Sequence, residues 1–126
     1  MAEAVTDLTT RALEAALGCV SVQHEVAANN LANAETPGYR ACTVSFEGAL
    51  RAAMRSERTG GRRGALGAVR PTVSPTGDPV GPDRNNVSLE AEMLTLSEAS
   101  TRYQLLTRMV DRRLQMIGTA IDGRSG

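Results

Sequence analysis

The sequence predicts a mostly α protein in which long N- and C-terminal helices pair as an elongated, coiled-coil-like unit around an irregular middle segment, partly β or disordered. Three observations lead there: apolar residues at heptad spacing near the start, a continuous apolar face after residue 88, and a Gly/Pro-rich stretch between them. The expected partition is an N-terminal helix over 1–35, a turn and flexible middle over 36–86 and a C-terminal helix over 87–126, together one structural unit. At 126 residues the chain is one domain by length.

In the first helix Val5, Leu8, Ala12, Ala15, Cys19, Val22 and Val26 alternate at intervals of 3 and 4, and Asn29 and Asn33 continue the series. A second series, Leu13, Leu17, Val20, His24, Ala27, Leu31 and Ala34, lies about 150° round the same helix. One partner helix buries only one of these faces, so the second is expected to meet another subunit. An oxygen-bearing side chain at Thr6 or Asp7 suits the helix start. Pro37 disfavours helical geometry in the residue before it, so the helix must stop by Thr36.

Thr36-Pro37-Gly38-Tyr39 then presets a type II turn, with proline fixing φ and glycine free to take positive φ. Residues 39–50 suit either a strand around Val44 and Phe46 or a short helix from Phe46 to Met54. Seven glycines and four prolines fall between Gly48 and Pro82, a composition in which little regular structure is expected. Helical patterning resumes at Ser88, a plausible N-cap, with Glu90 and Glu92 where negative charge suits the helix dipole. Leu89, Met93, Leu96, Tyr103, Leu106, Val110, Leu114, Ile117 and Ile121 mark its face, and Asp122-Gly123 is the expected end. Such a helix is about 50 Å long, against a radius of gyration near 14 Å for a compact chain of this size, so the molecule is elongated.

Composition narrows the function. The 14 basic residues, all arginine, balance 14 acids, which argues against general polyanion binding. The neutrality hides blocks: residues 1–50 carry 2 Arg against 6 acids, and residues 51–70 carry 6 Arg against 1. With Phe46, Tyr39 and Tyr103 the only aromatics, the core is expected from Leu, Val, Ile, Met and Ala. No apolar run reaches the roughly 18 residues of a membrane span, and the acidic start lacks the pattern of a cleavable signal peptide. Cys19 and Cys42 form no disulfide framework, and with the single His24 they make no ordinary zinc site.

Cys19 and His24 point to different helix faces, so packing explains each better than a nucleophilic pair. No catalytic, metal or cofactor motif occurs, and neither enzyme activity nor a cofactor is expected. The arginine block Arg51, Arg55, Arg58, Arg62, Arg63 and Arg70 could hold phosphates, giving a small basic-loop RNA-binding protein as the alternative function. No aromatic between residues 47 and 102 offers a stacking platform, and a solvated loop is the simpler reading. A cysteine-dependent enzyme would need Cys42 as a reactive thiolate. Asn29, Asn30 and Asn33 either cap the last carbonyls of the helix or fix the register of a packed bundle.

The segment Ala27-Ala28-Asn29-Asn30-Leu31-Ala32-Asn33-Ala34-Glu35-Thr36-Pro37-Gly38-Tyr39-Arg40 closely resembles the N-terminal signature of the bacterial flagellar rod and hook axial proteins. Asn85-Asn86-Val87-Ser88-Leu89-Glu90-Ala91-Glu92-Met93, with Arg102-Tyr103-Gln104 after it, resembles the C-terminal block of a short rod member, and the position of Phe46 also fits. The resemblance implies a structural subunit of the proximal rod of the flagellar basal body, assembling helically through its terminal helices and transmitting torque from the membrane ring to the distal rod and hook. Asn29, Asn30, Leu31, Asn33, Thr36, Pro37, Gly38, Tyr39, Phe46, Asn86, Val87, Leu89, Glu92, Met93 and Tyr103 are the implied assembly residues. The implied partners are other rod subunits, further copies of the chain, the membrane-ring protein and its rod adaptor, and the flagellar type III export apparatus. Export without signal cleavage is implied, with neither nucleic acid nor direct membrane insertion.

Overall fold

The computed structural model describes the backbone of residues 2–125 and the side chains of residues 7–123. Two long helices, α1 (Ala2–Ala32) and α3 (Leu89–Ser125), form an antiparallel hairpin, and the connecting chain folds against one side of it. That connection holds β1 (Cys42–Ser45), α2 (Glu47–Arg58), a 3-10 turn (Leu66–Ala68) and β2 (Thr72–Pro75). The antiparallel sense follows from the neighbours: Ala27 lies by Thr95, and Ser21 and His24 lie by Ser100 and Tyr103. At 31 and 37 residues the helices are about 46 and 55 Å long, so the expected elongated, mostly α unit is present.

The ends differ in detail from expectation. Helix α1 begins at Ala2 rather than at Thr6 or Asp7, and the side chains of Val5 and Thr6 lie outside the described ones. Helix α3 runs through Asp122-Gly123 to Ser125, because a single exposed glycine weakens a helix without breaking it. Its start is as expected, with the Ala91 amide donating to Ser88 Oγ at 3.4 Å.

Residues 39–50 form both of the alternatives, the strand and then the helix. β1 pairs antiparallel with β2, Val44 opposite Val73. Phe46 ends the strand and opens α2 by accepting a hydrogen bond from the Leu50 amide at 2.8 Å. The middle therefore carries more regular structure than its glycines and prolines suggest. They concentrate after Arg58 and leave the amphipathic stretch of α2 intact.

Two small clusters make the core. Cys19 and Val20 of α1, Phe46 and Ala99 of α3 form one, with Val44, Leu50, Val69 and Leu106 around it. The chain's one phenylalanine is thus a core anchor, contrary to the expectation of a purely aliphatic interior. Ala12, Ala53 and Leu66 form the other, joined by Leu8, Ala15 and Ala65. Val20 of the second α1 series packs against Ala99 of α3, and the heptad face is covered largely by α2 and the 3-10 turn of the same chain, so the face left over by the partner helix is covered within the chain where another subunit was expected. Alanines at Ala12, Ala27, Ala53 and Ala99 allow close approach of the elements. An ion pair secures the second cluster: Glu57, with only 4% of its side chain exposed, accepts from Arg11 at 2.7 Å and from the Leu66 amide at 3.2 Å.

Candidate functional site

The two signature segments meet where α1 ends and α3 begins, and asparagine amides tie them together. An amide side chain carries a donor and an acceptor in the geometry of a peptide group, so it can pair with a backbone residue as a neighbouring strand would. Asn30, 1% exposed, does this with Cys42: its Nδ2 donates to the Cys42 carbonyl at 2.8 Å and its Oδ1 accepts from the Cys42 amide at 3.0 Å. The same Oδ1 accepts from the Tyr39 hydroxyl at 3.1 Å, and that hydroxyl accepts from Asn29 Nδ2 at 3.1 Å. β1 is thereby fixed to the last turns of α1.

Asn33 caps the helix end, donating to the Asn29 carbonyl at 2.8 Å and accepting from the Thr36 hydroxyl at 3.1 Å. Of the two sequence readings, capping holds for Asn33, whereas Asn30 pairs with backbone outside the helix. The turn beyond has the type II hallmark: Gly38 takes φ +77° and the Tyr39 amide donates to the Thr36 carbonyl at 3.2 Å.

Asn85 and Asn86, both buried, close the junction from the other side. Asn85 Nδ2 donates to the Asn33 and Thr36 carbonyls, each at 2.8 Å, while its Oδ1 accepts from the Val87 amide at 2.7 Å. Asn86 Oδ1 accepts from the Ala41 amide at 2.6 Å, and its Nδ2 donates to Thr76 Oγ1 at 3.0 Å and the Asp78 carbonyl at 3.2 Å. The Gly38 amide donates to the Asp83 carbonyl at 2.9 Å. Segments some 50 residues apart thus complete one another's hydrogen bonds, with the buried Asn30, Asn85 and Asn86 satisfying the backbone of an exposed helix terminus and turn. Burial is the main cause that pushes the Tyr39 phenol and the Cys19 thiol above their ordinary ranges.

The structure brings Asn29, Asn30, Asn33, Thr36, Gly38, Tyr39, Asn86 and Val87 into this junction, with Leu31 and Pro37 on the helix end and turn that it fixes. Glu92 lines the groove beside Cys42 and Asn30. Phe46 belongs to the core, and Leu89, Met93 and Tyr103 sit on α3 with 53%, 56% and 42% exposure. Asn85 is as central as any of the implied residues, and the adjacent amides Asn85-Asn86 ahead of a helix were its signal. The use of backbone at Ala41 and Cys42 leaves no mark on side-chain identity.

His24 is exposed rather than packed, and it neighbours Ser100, Tyr103 and Gln104. Cys42 lies elsewhere, with Asn30 and Thr76, so the two form no nucleophilic pair. Among the described residues no group of three or more His, Cys, Asp or Glu could hold a metal, and no helix is long and apolar enough to cross a membrane. The arginines Arg51, Arg55 and Arg58 share an exposed face of α2, followed by Arg62 and Arg63 in the turn after it.

A family model described as flagella basal body rod protein matches residues 11–40, the packed part of α1 together with the turn. The flagellar basal body rod protein FlgB of Cereibacter sphaeroides is 34% identical over 102 residues, covering 75% of this chain and 79% of that protein. The chain belongs to the FlgB family of flagellar basal body rod proteins. FlgB of Bacillus subtilis is 28% identical over 121 residues, covering 91% of this chain and 94% of its own length. FlgB of Aeromonas hydrophila is 28% identical over 116 residues, covering 86% and 88%. The role these comparisons support is structural, that of a flagellar basal body rod component, and the FlgB matches extend well past the junction into α3.

Proposed function

We propose that the chain is a subunit of the proximal rod, assembling helically through α1 and α3 to carry torque from the membrane ring toward the distal rod and hook. The observation that carries this reading is the contrast between the tied junction and the bare apolar surface of α3. Its junction is locked by buried asparagines, while all along α3 Leu89, Met93, Leu94, Leu105, Leu114, Met116 and Ile121 stand more than half exposed. A monomer gains nothing from bare apolar side chains on a long helix, whereas a subunit buries them against its neighbours. The lock residues position the helices, and segment 36–86 braces them from one side. Other rod subunits, the membrane-ring protein and its rod adaptor are the partners, with delivery through the flagellar type III apparatus without signal cleavage. The test is deletion of the gene with return of an epitope-tagged copy: the tagged chain should appear in purified basal bodies, and the deletion should build no hooks. Normal hook numbers without the chain contradict the proposal.

The exposed arginine face of α2 keeps a second reading open to measurement, that of an RNA-binding protein. Binding of RNA at physiological salt, lost on changing Arg58, Arg62 and Arg63 together to Ser, would favour it.

A further inference from the structure

Leu94, Glu98, Leu105, Arg112 and Met116 project from α3 within about 40° of one another, and their stripe lies about 120° round the helix from Ala99, which meets α1. All five are exposed, Leu94, Leu105 and Met116 by 61%, 58% and 58%, and the middle segment packs mainly against α1 rather than over them. Neither Glu98 nor Arg112 is in an ion pair among the described residues. The stripe is symmetric about Leu105: Glu98 stands seven residues before it and Arg112 seven after, while Leu94 and Met116 lie eleven residues to either side. Two further arginines flank it. Arg102, about 60° round toward the middle segment, is held by Glu47 at 3.4 Å, and exposed Arg108 lies about 60° to the other side.

We propose that two copies of the unassembled chain pair through this stripe, α3 against α3 and antiparallel, with a two-fold axis at Leu105. Charge decides the sense of the pairing. A parallel pair in register sets Glu98 against Glu98 and Arg112 against Arg112, whereas the antiparallel pair sets each Glu98 against the second copy's Arg112. The two Leu105 side chains meet on the axis and each Leu94 meets the second copy's Met116, so the contact runs over about 33 Å of helix. A two-fold contact is closed and does not extend. The dimer therefore belongs to the chain outside the rod, where it shields one flank of α3 until other contacts replace it. The pairing goes beyond the rod-subunit reading and does not depend on it.

Sedimentation velocity of the purified full chain over a concentration series tests this. Wild type should form a dimer and nothing larger. Glu98→Arg alone and Arg112→Glu alone each set like charges opposite one another, so each should dimerise at least about tenfold more weakly at unchanged helical circular dichroism. The double variant Glu98→Arg/Arg112→Glu should return to within about threefold of wild type, and an equimolar mixture of the two single variants should form a mixed dimer. Crosslinking tests the register without touching charge. In a Cys42→Ser background, Leu105→Cys should give a disulfide-linked dimer on oxidation with diamide, because the axis brings the two thiols together; Leu94→Cys should not, because its two copies lie about 33 Å apart. A monomeric wild type, a species larger than a dimer, single variants that dimerise like wild type, a double variant that stays weak, or equal crosslinking at the two positions would each overturn the pairing. Recovery of the tagged chain from basal bodies is scored separately, so a failed pairing leaves the rod reading standing, whereas absence of the chain from basal bodies removes the rod reading alone.

Discussion

At Gly38 the backbone takes φ +77° with open space around it, so only conformation limits the residue there. Gly38→Val should cost about 1 to 3 kcal/mol through backbone strain and should impair motility in soft agar with export intact. Gly64 takes φ +76° as well, so Gly77, with no positive φ, is the proper comparison. Asn30 is also costly to lose. Asn30→Ala strands the half-buried amide and carbonyl of Cys42 and removes an acceptor from Tyr39, a loss on the order of 2 kcal/mol readable by urea unfolding. The raised Cys19 thiol and Tyr39 phenol give a pH signature. The unfolded chain releases these protons first, so stability is level below the ordinary thiol value of 9.0 and falls as pH rises past it and past the ordinary phenol value of 10.0, until the folded groups ionise too. Unfolding midpoints measured from pH 7 to 11 check the sign. The sequence singled out Asn29, Asn30 and Asn33 because amides are out of place at the end of an apolar helix. Their partners escaped it, since Cys42 and Ala41 contribute peptide groups that any residue carries.

Among the elements, α2 and the 3-10 turn depend on Glu57, whose two oxygens serve Arg11 and the Leu66 amide from a nearly buried position. Glu57→Ala should cost about 1 to 3 kcal/mol and speed hydrogen exchange over residues 60–70, while α3 keeps its protection near Ala99. By contrast, changing Arg58, Arg62 and Arg63 together to Ser should leave the unfolding midpoint nearly unchanged, since all three are exposed and none is in an ion pair among the described residues. The long helices were legible because their apolar spacing runs over many turns. α2 was harder, since its 12 residues include three exposed arginines and bury only Ala53 fully. β2, exposed throughout, has no burial pattern to announce it; its pairing with β1 is decided by chain reversal and by the Thr76 amide donating to the Ala41 carbonyl at 2.9 Å.

The whole molecule is a hairpin tied at one end and bare along one helix. Its closed end holds the asparagine junction, the first core cluster sits at its middle and the second toward the open end, while α3 carries exposed Leu89, Met93 and Leu94 near its start and Leu114, Met116 and Ile121 beyond Val110. The two-faced pattern of α1 suggested helices that need neighbours along their whole length. The middle segment covers one of those faces, so the dependence on neighbours shifts to α3, a division that turns on tertiary contacts no single helix pattern encodes. Hydrogen exchange read by mass spectrometry, on dilute monomer and on the assembled rod, tests this division most directly. In the monomer, amides of residues 20–32 and 90–105 should be protected and those of residues 112–125 should exchange at least about a hundredfold faster, becoming protected only on assembly. Uniform protection along both helices in the monomer, unchanged on assembly, would contradict it.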